Sequence, residues 1–280
     1  MIGRDGLFRK MIDRPVALIG LIILMLILLA ALLASVLYPD GALEMVAMPF
    51  LTPGADWTYP LGTDQLGRDV AAQLLYGARV SLMVGFSAAL VATTFGVLIG
   101  AFSGYLGGLV DSAALLLTEL FQTIPSFILA IVFIVIMGAS TGTIILALGI
   151  VSWPPIARIV RAECLSLRSR DFIQSCVVLG MGDFRIVMTQ VLPNCIAPIV
   201  VAVSITIATA ILTEASLSFL GLSDPNIVSW GSMIGAGRTS LRGAAYLTFI
   251  PGIAILITVL AISWIGDGLN DALNPRLRAR

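Results

Sequence analysis

The chain reads as an all-α, polytopic membrane helix bundle with about six transmembrane helices. Three observations carry that expectation. Of its 280 residues, 59% are hydrophobic and 11% charged, and the mean hydropathy is +1.04, whereas a soluble domain carries about 25% charged residues. Several runs reach the ~20 apolar residues needed to cross a hydrocarbon core of ~30 Å. The polar residues gather in a few connecting segments, the longest from Arg158 to Asn194.

The first span is Val16–Leu37, which holds no charge. It is too long for a signal-peptide core, and no small-x-small cleavage site follows it, so it reads as a permanent helix. The second is Val80–Gly104. The third is Ala113–Met137, containing Glu119, Gln122 and Pro125. The fourth is Thr143–Val160, the fifth Cys195–Leu220 with Glu214 inside it, and the sixth Ala245–Ile265. Pro125 and Pro154-Pro155 remove backbone donors and are expected to bend or break their helices.

Basic residues set the orientation. Arg4, Arg9, Lys10 and Arg14 precede the first span. Arg158, Arg161, Arg168, Arg170 and Arg185 follow the fourth, and Arg276, Arg278 and Arg280 end the chain. Both termini and the middle segment are therefore expected in the cytoplasm, which six crossings satisfy. The expected organisation is a cytoplasmic segment 1–15, a transmembrane domain 16–266 and a cytoplasmic tail 267–280. An outer loop at about 38–79 and a cytoplasmic loop at about 161–194 belong to the middle part.

Formal net charge is zero, which argues against nucleic acid as a partner. Membrane lipid is the expected surroundings. There is no histidine, the commonest catalytic base and metal ligand, and no metal-ligand spacing among Cys164, Cys176 and Cys195. No metal, no catalytic residue and no cofactor bound by this chain are expected, so a membrane-embedded enzyme is disfavoured. An ion-coupled secondary transporter is the alternative function, although no internal repeat supports it.

Gly96, Gly100 and Gly104 recur at four-residue spacing, which lets a second helix backbone approach. Glu214 and Glu119 are intramembrane acids, read either as cavity-lining groups or as pins between helices. In the outer loop, Thr63 or Asp64 is placed to cap a short amphipathic helix bearing Val70, Ala71, Leu74, Leu75 and Ala78. That helix reads equally as a packed connector or as a docking surface. In the middle segment, Arg161–Leu179 reads as one or two helices broken by Gly180 and Gly182. Phe184–Val191 is a further short helix that Pro193-Asn194 closes. Apolar residues among the arginines, such as Phe172, Val178 and Phe184, make lipid binding alone a poor account of it.

Several motifs resemble one family, the permease subunit of binding-protein-dependent ABC importers in the dipeptide/oligopeptide/nickel group. Gln174-Ser175-Cys176, Gly180 and Leu192-Pro193 match its cytoplasmic loop, with Gln-Ser-Cys in place of the family's Glu-Ala-Ala. Gly62-Thr63-Asp64 and Gly67-Arg68-Asp69 match its outer-loop signature, continued by Gly77–Leu82. Glu214–Leu222, Ser229-Trp230-Gly231 and Gly266–Leu269 with Asp271 and Pro275 match further stretches. The resemblance covers nearly the whole chain. It implies a type I ABC importer-like fold in a bacterial-type cytoplasmic (inner) membrane, and a pathway for peptides or similar small solutes. The implied partners are a second homologous permease in a heterodimer, two ABC ATPase subunits that bind the ATP and magnesium, and an extracytoplasmic solute-binding protein. The residues it assigns to ATPase coupling are Gln174, Ser175, Cys176, Gly180, Met181, Gly182, Asp183, Arg185, Leu192 and Pro193.

Overall fold

The computed structural model describes residues 14–273. The basic residues Arg4, Arg9, Lys10, Arg276, Arg278 and Arg280, and Pro275, lie outside the described residues. The helices are α1 (Pro15–Leu37), α2 (Val70–Leu106), α3 (Gly108–Thr123), α4 (Ser126–Met137), α5 (Thr141–Arg168), α6 (Asp171–Val178), α7 (Asp183–Ile186), α8 (Ile196–Phe219), α9 (Trp230–Gly237) and α10 (Tyr246–Leu273). Five of them, α1, α2, α5, α8 and α10, are long and apolar enough to cross a membrane. The pair α3 and α4, bent by 82°, is apolar enough when taken together to bring the candidate crossings to as many as six. Pro125 sits at that break, with no donor to continue the helix.

The most extensive helix contact joins α2 to α5. Gly96, Gly100 and Gly104 all face α5. A Cβ on Gly96 would lie 2.7 Å from that of Ile156, and one on Gly104 would lie 2.6 Å from the Arg161 carbonyl oxygen. A Cβ on Gly100 would run into the Ala157 carbonyl. The glycine repeat thus joins helices within the chain, and the backbones touch because nothing intervenes. Trp153, Ile156, Ala157 and Val160 are buried along the same seam.

This seam decides against one of the two outcomes expected at Pro154-Pro155, a break. Pro154 and Pro155 lie inside α5, which continues through them without a break. Neighbouring helices hold the segment in place, so the missing donors do not end it. A departure from expectation concerns the outer loop. The residues from Val70 to Ala78 are the first turns of α2, not a separate helix along the outer face. No glycine or proline breaker separates the stripe from the span, and α2 reaches 37 residues, roughly 55 Å at 1.5 Å per residue. Its cap is Asp69, whose carboxylate accepts from the Ala71 amide at 2.7 Å, not Thr63 or Asp64.

Another lies before α8. Helix α7 starts at Asp183, widens into a π-turn over Val187–Val191, and passes through Leu192–Asn194 directly towards α8. Pro193 sits in the first turn of a helical piece, where a missing N–H costs nothing, and that piece closes at Asn194, with Cys195 in a turn before α8.

Chain order carries the crossings back and forth. The outer loop, the α4–α5 turn and the segment around α9 fall at one end of the bundle. The segment from Ser169 to Cys195 falls at the other, with the described chain ends, where Arg14 meets Asp271 at 3.4 Å.

Gly100→Val forces a branched side chain into the Ala157 backbone and should lower stability by about 1–3 kcal/mol through overpacking. Gly142→Ala, where a Cβ meets only the Ser140 hydroxyl at 4.0 Å, should be near neutral. The thermal unfolding midpoint in detergent checks both.

Candidate functional site

The outer-loop residues Gly62, Thr63, Asp64, Gly67, Arg68 and Asp69 build a compact lid over the start of α2. Thr63 is fully buried; its hydroxyl donates to the Met48 carbonyl at 2.6 Å and accepts from the Leu51 amide at 3.0 Å. The Asp64 carboxylate accepts from the Leu66 and Arg68 amides and from Gln73 Nε2 at 2.8, 2.9 and 2.9 Å. Burial pushes the Asp69 carboxyl above the usual carboxylate range, against the pull of the Ala71 and Ala72 amides. Tyr246, at the start of α10, donates its hydroxyl towards the Thr63 carbonyl at 2.6 Å and the Leu51 carbonyl at 3.0 Å. The lid is therefore locked to the last span.

Glu214 is 1% exposed. Its carboxylate accepts from Ser218 at 2.6 Å and Ser81 at 3.2 Å, and the void beside it is about 10 Å³. In this conformation it is a pin joining α8 to α2, with no solute-sized space next to it. Ser81 also accepts from the Trp230 amide at 3.3 Å, and Trp230 Nε1 donates to the Leu74 carbonyl at 2.9 Å. The motif Ser229-Trp230-Gly231 thus seats α9 between α2 and α8. Glu119 is exposed on α3, next to the buried Thr118.

At the opposite end, the segment between α5 and α8 has a buried foot and an exposed tip. Ile173, Ile186, Val187 and Val191 are fully buried and pack with Val160, Cys164, Cys195, Ala101 and Tyr105. Phe184 stacks on Phe102 of α2 with ring centroids 6.1 Å apart. The tip carries Val178 at 86%, Leu179 at 80% and Phe184 at 67% exposure. Gly180 stands where α6 ends, with φ +75°. Its N–H donates to the Val177 carbonyl and that of Met181 to the Cys176 carbonyl, at 2.9 and 3.1 Å. This paired closure needs a left-handed residue, which glycine adopts without a steric penalty.

The remaining predicted residues divide between tip and foot. Gln174, Ser175, Gly182, Asp183, Arg185 and Pro193 are exposed, while Cys176, Met181 and Leu192 are half-buried against the foot. Gln174 Nε2 donates to the Arg168 carbonyl at 2.8 Å, tying α6 back to the end of α5. A contact the sequence did not reveal lies close by. Arg161 grips Asp111 of α3 through two N–H groups at 2.5 and 2.6 Å. Its partners are 50 residues apart, and no local pattern links them.

Residues 96–279 match the family described as "Binding-protein-dependent transport system inner membrane component". The chain belongs to this family. It is 37% identical over 268 residues to the dipeptide transport system permease protein DppC of Haemophilus influenzae, covering 94% of this chain and 91% of the relative. Against the glutathione transport system permease protein GsiD of Pectobacterium atrosepticum it is 34% identical over 273 residues, covering 97% and 91%. An inward-facing structure of the MetNI methionine ABC transporter superimposes with a TM-score of 0.61 at 21% identity, over 72% of this chain and 96% of that one. That likeness shows the fold, a type I ABC importer permease. The permease's matched region holds both the glycine seam and the whole exposed segment.

Replacing Glu214 by Leu leaves the buried hydroxyls of Ser81 and Ser218 without their acceptor and should cost about 1–3 kcal/mol. Glu214→Gln keeps an acceptor oxygen and should lose less. Unfolding midpoints of the two purified variants rank them.

Proposed function

We propose that this permease is one half of the translocation pathway of an ATP-driven importer for peptides or similarly sized polar solutes, and that residues 171–193 dock its ATPase. The observation that carries this reading is the exposed apolar tip. Val178, Leu179 and Phe184 lie outside the spanning helices, among charged and polar residues, on a foot that is itself rigidly packed. Large apolar side chains held out by a buried base suit a protein partner better than a lipid surface. A rigid tip transmits displacement to α5 and α8, because both helices meet at its foot. Gln174-Ser175-Cys176 serves in place of the family's Glu-Ala-Ala, with Gln174 supplying the bond that orients α6.

Peptide-type solutes are favoured by the dipeptide and glutathione permeases among the relatives. The remaining partners follow from the family: a second permease beside this one, a solute-binding protein over the lid, and ATP and magnesium held by two ATPase subunits. The chain itself performs no covalent step. The tip faces the cytoplasm and so do both termini, in keeping with the basic residues around it. Glu119 shares one strip of α3 with Ser112 and Thr123, at seven- and four-residue spacing. A carboxylate at that depth belongs against the aqueous pathway, not lipid.

Gentle detergent extraction should recover the ATPase and a second permease with this chain. Leu179→Asp should reduce ATPase recovery about tenfold or more while the second permease stays. Gly180→Pro, which cannot adopt the φ of +75°, should leave the chain inserted but abolish solute-stimulated ATP hydrolysis. Recovery of the chain alone, intact and folded, would overturn the importer reading.

A further inference from the structure

All three cysteines of the chain gather in one apolar cluster at the foot of the docking segment. Cys164 lies in the last turns of α5 and Cys195 immediately before α8. Their Sγ atoms are 3.8 Å apart and both side chains are fully buried. Thirty-one positions separate them, and between them lies the entire segment from α6 to Leu192–Asn194. Both are free thiols. The pair therefore spans the point where the segment leaves one spanning helix and joins the next. The third thiol, Cys176, sits half-buried on α6 itself.

We infer that Cys164 and Cys195 are a peroxide-sensitive pair whose disulfide staples α5 to α8 and holds the docking segment in the arrangement seen here. The consequence for transport rests on the reading that this segment receives the ATPase stroke. Closing the bond requires the sulfurs to approach from 3.8 Å to about 2.05 Å, a shift within the reach of side-chain rotation and small helix movement. Hydrogen peroxide is the oxidant class that fits the burial, being uncharged and little larger than water.

The chemistry balances without any other reagent. One cysteine sulfur, as its thiolate, attacks a peroxide oxygen; the O–O bond breaks, the departing oxygen takes protons and leaves as water, and a sulfenic acid remains. The second sulfur attacks the sulfenic sulfur, the S–S bond forms, the S–O bond breaks, and that oxygen leaves with the remaining protons as a second water. The two thiols lose two electrons, and peroxide gains them. A bundle that works by alternating between two arrangements is then confined to the one in which α5 and α8 touch at this point. Reduction of the bond frees it.

The test treats the purified importer complex in lipid nanodiscs with hydrogen peroxide. Alkylation and peptide mapping then locate the link, and solute-stimulated ATP hydrolysis is followed in parallel. The expected result is a Cys164–Cys195 disulfide and a fall in the stimulated rate of about fivefold or more, reversed by dithiothreitol. Cys164→Ala and Cys195→Ala should each retain their rate in peroxide, and Cys176→Ser should still form the link. The inference is overturned if both thiols remain alkylatable after peroxide, if the link runs to Cys176 instead, or if the link forms and the rate is unchanged. Absence of a co-purifying ATPase would instead overturn the docking reading, and the peptide map on the chain alone would still decide whether the pair closes.

Discussion

The rest of the structure depends on the backbone contact between α2 and α5. Between helices in a membrane there is no hydrophobic drive to associate, because lipid tails are as apolar as leucine. Association rests on close packing, and Gly96, Gly100 and Gly104 provide it by removing the side chains that would hold the backbones apart. Once the two helices touch, Trp153, Ile156 and Val160 are buried along their seam, and Pro154-Pro155 is held within an unbroken α5. The same contact ends beside Cys164, so it also fixes where the segment between α5 and α8 begins.

The two ends of the bundle are built on opposite principles. The end that carries the long loop is closed by polar bonds: Thr63 binds the lid to itself, Asp64 binds it to Gln73 of α2, Tyr246 binds it to α10, Trp230 binds α9 to α2, and Glu214 binds α8 to α2. The end that carries the segment from Ser169 to Cys195 is closed mainly by apolar burial at the foot, with the Arg161–Asp111 pair and the Gln174 bond beside it, and its tip is left uncovered. A partner met at that end finds a stiff apolar projection, whereas the loop end presents Trp57, Met48 and Met45 on a lid held by internal polar bonds.

Arg161 sits where these features meet. It lies on α5 one helical turn before Cys164, and it holds Asp111 near the start of the broken third span. The segment that follows α5 therefore has a polar connection to α3, the helix that carries Glu119. The bend of 82° between α3 and α4 leaves α3 largely exposed to whatever lies beside it, so the Arg161–Asp111 pair is an important tie between this helix and the bundle.

Length, hydrophobicity and local breakers were sufficient to determine the five long spans, the glycine seam, the break at Pro125 between α3 and α4, and the glycine stop after α6. Each depends on a residue's own backbone or on a pattern within about 20 neighbours, the span of one membrane helix. The signatures of the outer loop, α9 and the docking segment could be matched in sequence to a family, but their physical roles could not. Thr63 with Tyr246, Glu214 with Ser81, Arg161 with Asp111 and Cys164 with Cys195 are partners across long stretches of chain. Nothing in either member's surroundings names the other. Pro154-Pro155 left bend and break open for the same reason: a proline's effect on a helix depends on what packs against it, and packing is decided only when the whole bundle closes.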